Sequence, residues 1–244
     1  MISTKVLAIN TSPETDRGVL SLLLHPFLDG LREARADTEL YYTCDPMTGK
    51  CRVCDDGERL RQKIGQADVL VLASPLYFDG RTGPEGATLS LKLLLEGMTP
   101  GMHISADRPC EPAVHAVRED VNLSKVIIPS GSGFWEICGF YPVAEHVKAL
   151  CHNTFPEFAG SIAGTRGVLL RGPMPRGMLD WDIISAAREA GCQLAQDEAV
   201  PPIPHDIARR EAVTRDYYSQ ILNSSIPAKA TQFVMPVAAK CTQK

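Results

Sequence analysis

Three short stretches of this chain put small, polar or aromatic residues where an apolar run gives way to a loop. The first is Asn10-Thr-Ser-Pro-Glu-Thr-Asp-Arg-Gly18. Between a strand and a helix, free backbone amides and the positive end of the helix dipole can hold an anion. Thr11 and Ser12 add hydroxyl donors, Gly18 and Val19 open the helix, and Arg17 is the only cationic fork in the loop. Taken alone, this stretch reads as an ordinary strand–helix turn. The second is Ser74-Pro75-Leu76-Tyr77-Phe78-Asp79-Gly80. Its two aromatics come directly after a buried strand, where a core does not need them, and they can flank a flat aromatic ligand. The third, Ser130-Gly131-Ser132-Gly133-Phe134-Trp135, lets backbone approach a ligand closely. Trp135 either covers that ligand or packs in a core. The G-x-S-x-G frame of a nucleophile elbow fails at Ser130.

These loops need strands to carry them, and the chain supplies five. Lys5–Asn10 and Ala67–Ala73 are apolar runs, the second halted by Ser74-Pro75. Thr38–Thr43, Lys125–Pro129 and Phe158–Gly164 complete the set, with the fourth stopped by Ser130-Gly131-Ser132-Gly133. Helices are expected between them, over about 18–34, 55–66, 84–96 and 142–151, and again at about 178–197 and 205–222. In the first helix, Val19, Leu22, Leu23, Phe27 and Leu31 fall near one face. Residues 97–123 are rich in Gly, Pro and charge and read as a long excursion. Strands alternating with helices imply a mostly parallel sheet covered on both faces, with ligands at the carboxyl ends of its strands. Residues 1–200 are expected to form that α/β domain. Residues 201–244 then form a C-terminal helix and tail, packing on the domain or on a neighbouring subunit.

Composition narrows the function classes. The 244 residues are 44% hydrophobic and 22% charged, with a net charge of −4. Basic residues are scattered, so no nucleic-acid surface is expected. No apolar run has membrane-spanning length, and the amino terminus lacks a signal-peptide pattern, so a cytoplasmic protein with no membrane partner is expected.

The motifs carry a resemblance. The strand–Asn10-Thr11-Ser12-Pro13–helix pattern, the Ala67-Asp68 to Tyr77 run, the helix start at Thr82–Lys92 and the Gly-rich third loop resemble the NADPH-dependent FMN reductase family. Within it they are most similar to the branch of iron–sulfur flavoproteins. The resemblance covers residues 4–165 and implies a flavodoxin-like, doubly wound, five-stranded parallel sheet in the order 2-1-3-4-5. It implies non-covalent FMN, with the phosphate over Thr11, Ser12, Arg17, Gly18 and Val19. The ring would lie between Pro75, Leu76, Tyr77 and Phe78 on one side and Ser130, Gly131, Ser132, Gly133 and Trp135 on the other. The implied activity is electron transfer from NAD(P)H or a reduced carrier to a small-molecule or protein acceptor, in a homodimer or homotetramer. A flavodoxin-like carrier and a family member without flavin are the alternatives. The family places Arg after Ser-Pro and Thr at the helix start, whereas this chain has Glu14 and Val19.

Eight cysteines are present, five of them isolated in sequence. Cys44-x6-Cys51-x2-Cys54 lies where iron–sulfur flavoproteins carry a four-cysteine run for a 4Fe–4S cluster. Thr38 and Tyr41 stand near the first two of those positions, and three thiolates do not make a cubane site. Cys51-x2-Cys54 is half a zinc site without a second pair. No metal is therefore expected there, and no catalytic residue is assigned. Cys151 and His152 adjoin, but neighbours on a helix point apart. His146 and Arg209-Arg210 read as surface, and Asp55-Asp56 as a helix cap and dipole partner.

Overall fold

The computed structural model describes residues 3–45, 47–48, 52–76, 121–132, 140–153, 156–164, 181–196 and 220. The chain divides into two compact units, Met1–Arg209 and Arg210–Lys244. All the elements below belong to the first. Strand β1 spans Lys5–Asn10, helix α1 Val19–Glu33, β2 Asp37–Tyr42, α2 Val53–Gln66 and β3 Val69–Leu76. They are followed by β4 at Lys125–Ser132, α3 at Tyr141–Asn153, β5 at Glu157–Gly164 and α4 at Trp181–Ala195. The expected helices over 84–96 and 205–222 lie outside the described residues, as does the excursion from 97 to 120.

The five strands form one all-parallel sheet in the order β2-β1-β3-β4-β5, the flavodoxin-like arrangement. The inner strands read as continuous apolar runs because both of their faces are covered. Val6, Ala8, Val69, Val71, Ala73 and Ile127 pack under α1 and α4. Their neighbours Leu7, Ile9, Leu70, Leu72, Val126 and Ile128 pack under α2 and α3. Among the described residues, no helix is long and apolar enough to cross a membrane.

Some expected boundaries move. Strands β3 and β4 do not stop at Ser74-Pro75 and Ser130. They run on side by side, pairing Ser74 with Ser130, Pro75 with Gly131 and Leu76 with Ser132. Proline suits an extended backbone, and the Ser130 hydroxyl donates to the Ser74 carbonyl at 2.7 Å, tying the two strands beside the prolines. In α1 the buried stripe is Leu20, Leu23, Leu24, Phe27, Leu28 and Leu31, each at most 3% exposed, while Leu22 is 42% exposed. At 3.6 residues per turn Leu22 falls on the far side of that stripe. Helix α2 starts at Val53 after Arg52, so Asp55 and Asp56 lie in its first turn, where they meet the dipole, rather than at its cap.

Helices α1 and α4 cross on a pair of glycines. A Cβ on Gly30 would stand 1.9 Å from the Arg188 carbonyl oxygen, and one on Gly191 would stand 2.1 Å from that of Phe27. Both obstacles are backbone, so neither can rotate away. Gly30→Ala is therefore expected to force the helices apart at a cost of about 1–3 kcal/mol. That lowers the thermal midpoint by roughly 2 °C or more per kcal/mol. Gly57 on α2 has nothing within 4 Å of its Cβ position. Gly57→Ala should raise the midpoint, through a gain of roughly 0.5–1 kcal/mol. Calorimetric melting of the two variants beside the parent tests both signs.

Candidate functional site

The polar side chains that this fold buries lie at one end of it. Asn10, Thr11, Ser12, Thr15, Ser21, Thr43, Ser74 and Ser130 are the buried polar residues among those described. They sit at the carboxyl ends of β1, β2, β3 and β4, or on the turn and helix that follow β1. Burying them costs free energy unless each finds a partner, and they find one another. Thr11 donates both its amide, at 2.9 Å, and its hydroxyl, at 3.1 Å, to the Ala73 carbonyl. The Thr43 amide donates to the Asn10 carbonyl at 3.0 Å, and the Asn10 side-chain oxygen accepts the Ser12 amide at 2.8 Å. With the Ser130–Ser74 bond, the ends of four strands are stitched together.

The loop after β1 is tightly wound. Thr15, at φ 49°, is left-handed and 6% exposed. A β-branched residue is strained there, and such outliers concentrate at working sites. Its carbonyl accepts from the Ser21 hydroxyl at 2.6 Å and from the Gly18 amide at 3.3 Å. Three further amides of the loop also turn inward. Glu14 donates to the Ser12 hydroxyl at 3.2 Å, Thr15 to the Ser12 carbonyl at 3.1 Å, and Arg17 to the Glu14 carbonyl at 3.0 Å. Helix α1 begins at Gly18 without a side-chain cap and with no acid in its first turn. Beside that start lies Glu14, whose Oε2 is 3.4 Å from the position of a Cβ on Gly18. Glu14 and Arg17 are both exposed.

Sequence reasoning missed the partners of Asp16. Its carboxylate accepts from the Tyr42 hydroxyl in a short hydrogen bond and lies 2.9 Å from His25 Nε2. The Tyr42 bond, helped by His25 and opposed by desolvation, holds the Asp16 carboxyl below its usual range. Burial and the same bond push the Tyr42 phenol up. A strand end, a loop and the second turn of α1 meet there, and no local pattern announces such a meeting.

The other candidates are placed as follows. Pro75 and Gly131 are buried partners at the ends of β3 and β4, beside Leu76 and Ser132. Tyr77, Phe78, Gly133, Trp135 and Cys51 lie outside the described residues. Val19 and Cys54 are the first and second residues of α1 and α2. Cys44 is 2% exposed, just after Thr43, whose carbonyl accepts the Arg52 amide at 2.7 Å and closes the loop between them. Among the described residues, no three His, Cys, Asp or Glu side chains are grouped to hold a metal. Cys151 is buried in the core against the sheet, where desolvation pushes its thiol up to about 11. A thiol so raised is a poor nucleophile. His152 beside it is exposed. Both line a cavity of about 480 Å³ between α3 and the start of β5, at the opposite end of the sheet from the buried polar residues.

The elements that build this polar end can be compared with known proteins. Residues 4–89 match the NADPH-dependent FMN reductase family. The match takes in β1, the loop after it, β2, α2 and β3. An iron–sulfur flavoprotein of Methanocaldococcus jannaschii is 29% identical over 108 residues, which cover 39% of this chain and 52% of the relative. The chain thus spans about half the length of the curated relative it matches. An FMN-dependent NADH-azoreductase of Bacillus anthracis, solved with FMN, superposes with a TM-score of 0.53 at 14% identity, covering 80% of this chain and 99% of that one. A flavone reductase superposes at 0.52 with 16% identity over 86% and 72% of the two chains. These two structures share the fold of this domain.

The Asp16 arrangement has a testable pH signature. A carboxyl held below its ordinary value of 3.8 stabilises the fold fully above that value, and loses the contribution as pH falls through its lowered folded value. Tyr42→Phe should return the Asp16 carboxyl towards its ordinary range, as followed by carboxyl carbon NMR. The stability difference from the parent should be present at neutral pH and shrink in acid.

Proposed function

We propose that this protein is an FMN-dependent oxidoreductase that takes electrons from NAD(P)H or a reduced carrier and passes them to a small acceptor. The observation that carries this reading is the buried polar cluster at the carboxyl ends of four parallel strands, where doubly wound sheets bind ligands. Most of that cluster belongs to the segment that matches the FMN reductase family. The family and the FMN-bound azoreductase support FMN as the flavin, with NAD(P)H as donor. When bound, FMN supplies the two-electron redox chemistry, and the protein supplies binding, orientation and electrostatics. In this reading Pro75, Leu76, Tyr77 and Phe78 hold one side of the ring, and Ser130, Gly131, Ser132, Gly133 and Trp135 the other. Thr11, Ser12, Gly18 and Val19 frame the phosphate end, with Arg17 as its cation. The protein acts in the cytoplasm as a homo-oligomer, and residues 201–244 contribute to its self-association.

The test is to titrate FMN into the purified protein, following flavin fluorescence, and then to measure FMN-dependent oxidation of NADH and NADPH with a quinone or azo acceptor. Quenching with FMN-dependent turnover is expected. Quenching without turnover would reduce the protein to a carrier, and no quenching would remove flavin from the reading. A charge-assisted bond is worth about 1.5–3 kcal/mol, so Arg17→Ala should weaken FMN by roughly tenfold or more. Riboflavin, which lacks the phosphate, should be unaffected.

A further inference from the structure

Helix α3 buries Ala144, Val147 and Cys151 against the sheet. Beside that buried stripe, one flank of the helix carries Tyr141, Glu145, Lys148 and His152, all of them exposed. Their spacing of four, three and four residues keeps them within roughly 30° of a common line along the helix, over a rise of about 16 Å. The set is symmetric about its own midpoint, which lies between His146 and Val147. Turned end for end, Tyr141 falls opposite His152 and Glu145 opposite Lys148. Within the chain, Lys148 Nζ and Glu145 Oε1 stand 3.7 Å apart with both side chains more than half exposed. A pair of that kind contributes little by itself. Across a two-fold axis the same two residues make two ion pairs, one on each side of the axis.

Further observations fall on the same flank. Tyr141, 49% exposed, is one of three large hydrophobic residues exposed among those described. The cavity of about 480 Å³ between α3 and the start of β5 is lined by Ala149, Cys151, Pro156 and Phe158 together with Glu145, Lys148 and His152 of the flank. An apolar hollow rimmed by charge is a place where a partner's side chains settle. Strand β5 beside it is the last of the sheet, and among the described residues it pairs with β4 alone. It carries no charge from Phe158 to Gly164. Its register slips opposite Val126 and Ile127, and Gly160 sits at φ 133°. A bulged edge resists strand-to-strand pairing, so contact at this side of the molecule falls to the helix flank and the hollow. A foreign partner would have to supply the matching order of charges, whereas a second copy of this chain has it already.

We propose that this flank of α3 docks on the same flank of a second copy of the chain, with the two helices antiparallel about a two-fold axis. Glu145 then pairs with Lys148 of the partner subunit, and Tyr141 lies beside the partner's His152. The inference deepens the self-association put forward above by naming its surface, and it does not rest on the flavin.

Sedimentation velocity over a range of concentrations is run on the full chain, on Glu145→Lys, on Lys148→Glu and on the double exchange, with each variant checked by its melting curve. The parent should associate, and less tightly as salt is raised. Each single exchange sets like charges opposite one another twice and should raise the dissociation constant roughly tenfold or more. The double exchange restores opposite charges and should return it to within about threefold of the parent. Association indifferent to the single exchanges has its interface elsewhere. A double exchange as weak as the singles means that the two residues do not meet across the axis. Either result overturns the proposal and leaves self-association standing. A monomeric parent overturns both, and if Lys148→Glu lowers the melting midpoint of that monomer, the flank belongs to another segment of the same chain. Should one single variant misfold, the other and the double exchange decide.

Discussion

Burial of both faces of the sheet is the constraint on which the rest of this structure depends. Once α1 and α4 cover one face and α2 and α3 the other, the inner strands can carry only apolar side chains along their length. Polar residues are left with the strand ends. They gather at the carboxyl end because the chain there must turn into a helix or loop, and its backbone groups need partners beyond the ladder. Asn10, Thr43, Ser74 and Ser130 provide those partners, which is why the ends of four strands form one hydrogen-bonded patch.

The same demand for partners shapes the loop after β1. A stretch that could offer a row of amides to a ligand instead closes on Ser12, Thr15 and Asn10. It does so at the expense of a left-handed Thr15, and the Ser21 hydroxyl on that residue's carbonyl helps hold it there. Strain of this kind persists only where the surroundings overdetermine the backbone.

The match to the NADPH-dependent FMN reductase family over residues 4–89 takes in the strands and the loop that build most of the polar patch. A family pattern is kept by the strands and helices, which answer to burial, whereas ligand preference turns on single side chains at the loop.

Much of the architecture was legible in the sequence. The apolar runs at 5–10, 67–73 and 125–129 can only be strands buried on both faces, and their alternation with amphipathic helices leads to a parallel, doubly wound sheet. The loop after β1, at the carboxyl end of the sheet, followed from the same pattern. Boundaries were less legible, because a proline halts a strand only if its missing amide is needed, and β3 and β4 extend past theirs as an extended pair. Leu22 was misplaced because an apolar residue carries no label for which side of a helix it faces. What tertiary structure alone decided is where each donor goes. The Thr11 hydroxyl donates to the Ala73 carbonyl, the Ser12 amide donates to the Asn10 side chain, and the Ser12 hydroxyl accepts the Glu14 amide. Tyr42, His25 and Asp16 meet only once β2 and α1 flank the loop. Residue type sets what a group is able to bond, and proximity in the folded chain selects the partner, because hydrogen bonds act over a few ångströms and sequence separation does not enter their energy.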